Sequence, residues 1–280
     1  MKVLLRLMRS PAGVTGLALT LLVLLIGVFA PMLAPQTFEK MSSAVMAAPS
    51  RAAWFGTDQF GRDVLSRTLY GVRISLQVAV VAAGTAAALG TLLGLVAGYF
   101  GGWVDAAIMR LMEILMAFPS LLLAIGIMAM LGGSLVNVMI AIGLVYLPVF
   151  ARVARAPVLA LREEDMVTGA RALGASTWRI LFKHILPNMI SPVVVQASLA
   201  VSNAVLTEAA LSYLGLGVRP PTPSLGALIQ EGQPMMMMAP WLAIFPGLMI
   251  MLMIFAFNLL GDTVRDQLDP RLRKLVGSQS

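Results

Sequence analysis

The residues most able to do chemistry in this chain are a few charges set among long apolar runs. Glu208 stands in the apolar stretch 190–216, and Arg110 and Glu113 stand three apart in the stretch 106–131. Three-residue spacing places Arg110 and Glu113 on one helix face, where they can pair. A charge facing lipid is costly, so such residues turn toward a bundle interior or a cavity. Glu208 is thus either part of a substrate or ion path or a structural tie, and both readings stay open. For Arg110 and Glu113 the alternatives are a path or a structural pair near the membrane interface. Asp58 and Asp63 offer a metal or acid pair, but beside Arg62 and Arg67 they are expected to solvate an interfacial helix. Met235–Met238 is a run of thioethers, soft ligands that suit copper(I). Methionine is also apolar filler, and no His or Cys stands near the run. The chain has no Cys and one His, His184. No thiolate site, disulfide or His cluster can form within it. No catalytic residue and no metal site is expected.

The elements that carry these charges follow from composition. The chain has 280 residues, 59% of them hydrophobic and 12% charged, with a mean hydropathy of +0.89. Soluble domains are about 25% charged, so this surface belongs in lipid. Unbroken apolar runs of about twenty residues specify transmembrane helices rather than a barrel. Six spans are expected, at 14–33, 74–100, 106–131, 134–154, 190–216 and 241–260. The expected fold is therefore an all-α integral membrane protein with six transmembrane helices. Residues 1–73 form a tail, the first helix and an outer segment. Residues 74–265 form a core of five helices, and 266–280 a C-terminal tail. Lys2, Arg6 and Arg9 precede a first apolar stretch that lacks a small-x-small cleavage site, so it is expected to be retained. Of the 20 Lys and Arg residues, Lys40, Arg51, Arg62, Arg67, Arg73 and Arg219 fall on one side and the rest on the other. The positive-inside rule then makes both termini cytoplasmic, with Arg152 and Arg155 closing the fourth span at the interface. The net charge of +7 follows from this sorting and implies no nucleic acid partner.

Gly90, Gly94 and Gly98 repeat every four residues, with Gly84 upstream, and line one helix face for close packing against an unidentified helix. Pro119, Pro148 and Pro246 each mark either a kink or a helix end.

A polar island at 155–190 interrupts the apolar pattern. Met166, Ala170 and Leu173 have helical spacing, with Glu163, Glu164 and Asp165 in the early turns where a helix favours negative charge. Gly174 permits a reversal. Ser176 is placed to cap a second helix bearing Trp178, Leu181, Phe182 and Ile185. Pro187 is expected to end that helix before the next span. The hairpin would either lie on lipid or dock a soluble partner.

The stretch TGARALGASTWRILFKHILPN resembles the EAA loop of inner-membrane subunits of binding-protein-dependent ABC importers. In that pattern Glu-Ala-Ala precedes a glycine, and Leu-Pro follows. The matching positions are Thr168, Gly169, Ala170, Gly174, Leu186 and Pro187, with Arg171 inside the stretch. Thr168 and Gly169 depart from the pattern, and Asp165, three residues earlier, is placed to supply the negative group. Four more stretches, at 55–73, 109–124, 211–229 and 257–273, are similar to the C-type permease of dipeptide, oligopeptide and nickel importers.

The resemblance implies a type I importer permease in the bacterial inner membrane, itself not an enzyme. It implies a second, B-type permease, two ATPase subunits carrying ATP and Mg, an extracytoplasmic binding protein, and surrounding lipid. Asp165, Thr168, Gly169, Ala170, Arg171, Gly174, Leu186 and Pro187 would then couple the chain to an ATPase. The chain lacks a G-x-x-x-x-G-K-[ST] phosphate loop. Dipeptides or oligopeptides are the expected cargo, with nickel, metal chelates, glutathione and opines as alternatives. A passive channel or scaffold is the reading from another class.

Overall fold

The computed structural model describes residues 10–268. The basic residues Lys2, Arg6 and Arg9, and the tail beyond 268, lie outside the described residues. Nine helices organise the rest: α1 Pro11–Leu33, α2 Val64–Phe100, α3 Gly102–Met116, α4 Ser120–Leu131, α5 Leu135–Leu161, α6 Asp165–Ala172, α7 Thr177–Tyr213, α8 Leu225–Gly232 and α9 Trp241–Leu268. Apart from the isolated bridge Thr57–Asp63, no strand pairing occurs among the described residues.

Five of these helices are long and apolar enough to cross a membrane alone, and α3 with α4 makes a sixth crossing broken by a 90° bend. The third expected span is therefore corrected from one helix to two. The cause is the sequence Phe118-Pro119: proline disfavours helix in the residue before it and lacks an N–H of its own. The bent pair still passes from end to end. Gly98, just before it, receives Arg162 from the loop end of the bundle, while Gly133, just after it, lies against Gly217 and Arg219 at the opposite end. Pro148 and Pro246, by contrast, sit inside continuous helices.

Several helices outrun their expected ends. α2 begins at Val64 rather than 74, so the boundary drawn at 73 falls inside it. Asp63 sets the start: its Oδ2 accepts from the Ser66 backbone N–H and hydroxyl, both at 2.7 Å. Asp63 therefore does not serve as a solvated charge. At 37 residues α2 is about 55 Å long, well beyond a hydrocarbon core of about 30 Å. α5 likewise continues past 154 to Leu161.

The partner of the glycine face is α5 of the same chain. A Cβ on Gly90 would come within 2.6 Å of the Leu147 carbonyl, one on Gly94 would overlap the Ala151 carbonyl, and one on Gly98 would meet Val158 at 2.8 Å. With no side chains between them the two backbones touch, which is how helices gain contact in lipid. Around this seam the core forms two clusters. Leu95, Phe150, Val158, Val167 and Ile185 belong to the one that reaches the loop end. Val72, Ile142, Leu211, Leu225 and Met253 belong to the other.

Candidate functional site

The loop between α5 and α7 is built as a rigid elbow. α6 carries Asp165 in its first turn and Arg171 in its last, each matching the helix dipole. After Leu173 the chain reverses through Gly174, whose φ is +75°. The Gly174 N–H donates to the Arg171 carbonyl and the Ala175 N–H to the Ala170 carbonyl, both at 3.0 Å. This is a Schellman cap, and it needs a residue free to adopt positive φ. Nothing lies within 4 Å of a Cβ placed on Gly174. The requirement at Gly174 is thus conformational and not one of space.

Beyond the turn, two expectations are corrected. Ser176 holds the N-cap position, yet its side chain makes no capping bond. Pro187 does not end the second helix. Residues 177–213 run as one helix, widened by a π-turn at Ile180–Ile185. That widening gives the Pro187 ring room it would lack against the Lys183 carbonyl of a regular turn. The Asn188 side-chain amide donates to the His184 carbonyl at 2.7 Å. The loop is therefore joined without a break to α7, and by only three residues to α5.

The two faces of the elbow differ. Val167, Leu181 and Ile185 are buried in the core cluster, and Ala170 is partly buried against it. Met166, Leu173, Trp178 and Phe182 face outward, Leu173 at 90% exposure. The Trp178 and Phe182 rings stack with centroids 5.7 Å apart. The expected apolar stripes on both helices are thus split, half anchoring the elbow and half left on the surface. Thr168 turns its hydroxyl back to the Asp165 carbonyl at 3.2 Å, and Asp165, Gly169 and Arg171 are exposed. Asp165, Thr168, Gly169, Arg171 and Gly174 are thus exposed, while Val167 between them is buried. Leu186 and Pro187 stand apart from them, in α7.

The intramembrane charges do not form one site. Arg110 and Glu113 pair at 3.5 Å on α3 and are both exposed on this chain. Glu208 has 0% exposure. Its carboxyl receives hydroxyls from Ser75 of α2 at 2.5 Å and Ser212 of α7 at 2.7 Å. α2 and α7 are tied at this point, and both carboxyl oxygens are bonded within the bundle.

Other charged clusters escaped sequence reasoning. Asp58 accepts from Arg62 at 2.6 Å and Arg67 at 2.7 Å, while Glu231 of α8 accepts from Arg67 at 2.8 and 3.2 Å. Asp58, Arg62 and Arg67 are buried. They clamp the 34–63 segment to α8 and do not solvate an interfacial helix. Near the loop end, Arg155 meets Asp105 of α3, with both bonds at 2.5 Å. No signal in sequence links these partners, since Arg67 and Glu231 are 164 residues apart. The glycine turns at Gly56 and Gly61, both with positive φ, were the one available hint that the segment around Asp58 is ordered. Among the described residues no group of acidic, His or Cys side chains could hold a metal ion.

Comparison with known proteins gives a consistent result. Residues 90–274 match the family described as "Binding-protein-dependent transport system inner membrane component". Residues 2–49 match the "N-terminal TM domain of oligopeptide transport permease C". A dipeptide transport system permease protein from Alkalihalophilus pseudofirmus is 45% identical over 96% of this chain and 88% of its own length. A glutathione transport system permease protein from Pectobacterium atrosepticum is 42% identical over 96% and 90%. Its counterpart from Escherichia coli is 43% identical over 96% and 89%. A solved chain of the MetNI methionine ABC transporter, in an inward-facing form, aligns with a TM-score of 0.56 at 17% identity, covering 71% of this chain and 94% of that one. The likeness to MetNI is one of fold.

Proposed function

Because the chain belongs to the family of inner-membrane components of binding-protein-dependent transport systems, we propose that it forms half of the translocation pathway of an ATP-driven importer for dipeptides or oligopeptides. The second half is a B-type permease. Two ATPase subunits, carrying ATP and Mg, sit at the loop end of the bundle. An extracytoplasmic binding protein delivers cargo at the opposite end. The termini and the loop face the cytoplasm, as the sorting of Lys and Arg suggests.

The observation that carries this is the elbow at 162–176 with the first turns of α7: together they expose Leu173 and Trp178 while their inner face is locked into the core. A hairpin lying on lipid needs no such anchoring. A lever does. When an ATPase pair closes, the docked elbow is displaced, and α7, continuous with it, tilts as a rigid rod about 55 Å long. Packed bundles respond to such a push by switching between two arrangements. Asp165, Thr168, Gly169, Ala170, Arg171 and Gly174 shape the docking surface, and Leu186 and Pro187 set the joint with α7. Arg110 and Glu113 would be structural and Glu208 a tie between helices.

Dipeptide cargo rests on the 45% identical relative, and glutathione, itself a tripeptide, on the relatives at 42% and 43%. Reconstituted with its partner permease, ATPases and binding protein, the complex should accumulate labelled dipeptide on addition of ATP. Excess unlabelled dipeptide should abolish accumulation and glutathione should leave most of it. Full competition by glutathione with little by dipeptides would reassign the cargo. Accumulation without ATP would overturn the importer.

A further inference from the structure

Three arginines of the loop region converge on one corner of the bundle. The corner is the turn from α2 into α3, where Gly101 and Gly102 take φ values of 65° and 52°. Arg155, near the end of α5, donates through Nε and Nη2 to the two carboxylate oxygens of Asp105. Arg162, directly after α5, donates from Nη1 to the Gly98 carbonyl at 2.9 Å. Arg171, in the last turn of α6, lies over the Tyr99 ring, 5.8 Å from its centroid. The corner is thus held at three points by residues placed along the path from α5 into the loop.

Asp105 has a particular place in this grip. It sits in the first turn of α3, and Met112 is the one residue of α3 that is buried. Little apolar packing therefore binds α3 to the rest of the chain. A guanidinium that meets a carboxylate through two parallel bonds fixes angle as well as distance. The Asp105–Arg155 fork is consequently the directional joint between α3 and α5.

We propose that Asp105 and Arg155 are positioning residues for coupled transport. They make the corner at 98–105 move as one body with the loop. Displacement of the loop then reaches the broken helix α3–α4 as well as α7. This rests on the reading of 162–176 as the ATPase-docking loop.

The test measures cargo taken up per ATP hydrolysed by the full complex in proteoliposomes. Asp105→Asn and Arg155→Met should each lower that ratio at least fivefold. ATPase subunits should still copurify in the wild-type proportion, because Leu173 and Trp178 are untouched. Exchanging the charges, Asp105→Arg with Arg155→Asp, should bring the ratio back to within about twofold of wild type. Arg155→Lys keeps the charge but loses the fork, so it covers the case in which uncharged variants do not fold. It should still lose at least twofold. The chain has no Cys, so Asp105→Cys with Arg155→Cys can be bridged by a short bifunctional thiol reagent, and bridging should raise the ratio. An unchanged ratio in the single variants, no recovery in the exchange, or a further drop on bridging overturns the proposal. A wild-type complex that binds no ATPase subunits would instead sink the loop reading, and this role with it.

Discussion

Gly94→Ala should destabilise the protein far beyond what one methyl group suggests. A Cβ on Gly94 would overlap the Ala151 carbonyl and lie 2.8 Å from the Ala154 Cβ and 3.0 Å from the Arg155 N. Two of these neighbours are backbone atoms of a packed helix, so neither can rotate aside. Overpacking of this kind costs about 1–3 kcal/mol, and more when the backbone must move. Gly84 is the internal control. It lies on the same helix, and a Cβ there meets nothing within 4 Å. Alanine is also the better helix former by about 1 kcal/mol. Thermal melting of the detergent-purified complex should therefore show Gly94→Ala well below wild type and Gly84→Ala at or slightly above it. Gly94→Leu should not accumulate in the membrane. Equal melting of Gly94→Ala and wild type would mean that α2 and α5 do not touch along this seam.

Arg67→Met should be as damaging at the other end of the bundle. Arg67 is 3% exposed and bridges Asp58 and Glu231. Its loss leaves Asp58 and Glu231 to share Arg62 alone, so two carboxylates, one of them buried, keep a single cation. Breaking a buried ion pair by removing one partner costs about 3–5 kcal/mol. Melting should fall accordingly, and the 34–63 segment should become susceptible to protease. Adding Glu231→Gln to Arg67→Met should recover part of the loss, because the remaining Arg62 then faces Asp58 alone. Arg110→Met is the contrast. That residue is exposed on this chain and its pairing distance is 3.5 Å, and exposed pairs contribute little. If Arg67→Met melts like Arg110→Met, the outer clamp is not what holds α8.

The contrast between Arg67 and Arg110 marks what sequence can and cannot carry. Crossings were legible because hydropathy is a local, additive property: the helices at 11–33, 135–161 and 241–268 match the runs expected there to within a residue at one end or contain them. The Gly174 turn was legible because a reversal between two helical patterns demands a residue with positive φ. Helix ends were not. Asp63 sets the start of α2 through a cap that hydropathy does not register, and α5 runs through two arginines that looked like a boundary. Pro187 misled for a subtler reason. Proline interrupts a regular α-turn, but one π-turn lets the helix continue past it, and that choice is made by packing of Ile180, Leu181 and Ile185. Least legible were the ion pairs. Arg155 with Asp105 and Arg67 with Glu231 join residues 50 and 164 positions apart, and charge type alone names no partner at such range. Arg110 and Glu113, three apart, were paired from sequence because helix geometry brings them together.

The most direct test of coupling through the loop is binding-protein-stimulated ATP hydrolysis by a Leu173→Asp complex. Leu173 is 90% exposed and lies next to the Gly174 cap. A charge there leaves the fold intact and strikes only what docks. The variant permease should insert and melt as wild type does. Its ATPase subunits should copurify poorly, and stimulation by cargo-loaded binding protein should fall at least tenfold. Full stimulation with normal uptake in Leu173→Asp would contradict the coupling role of this surface and leave the hairpin as a feature of the lipid interface.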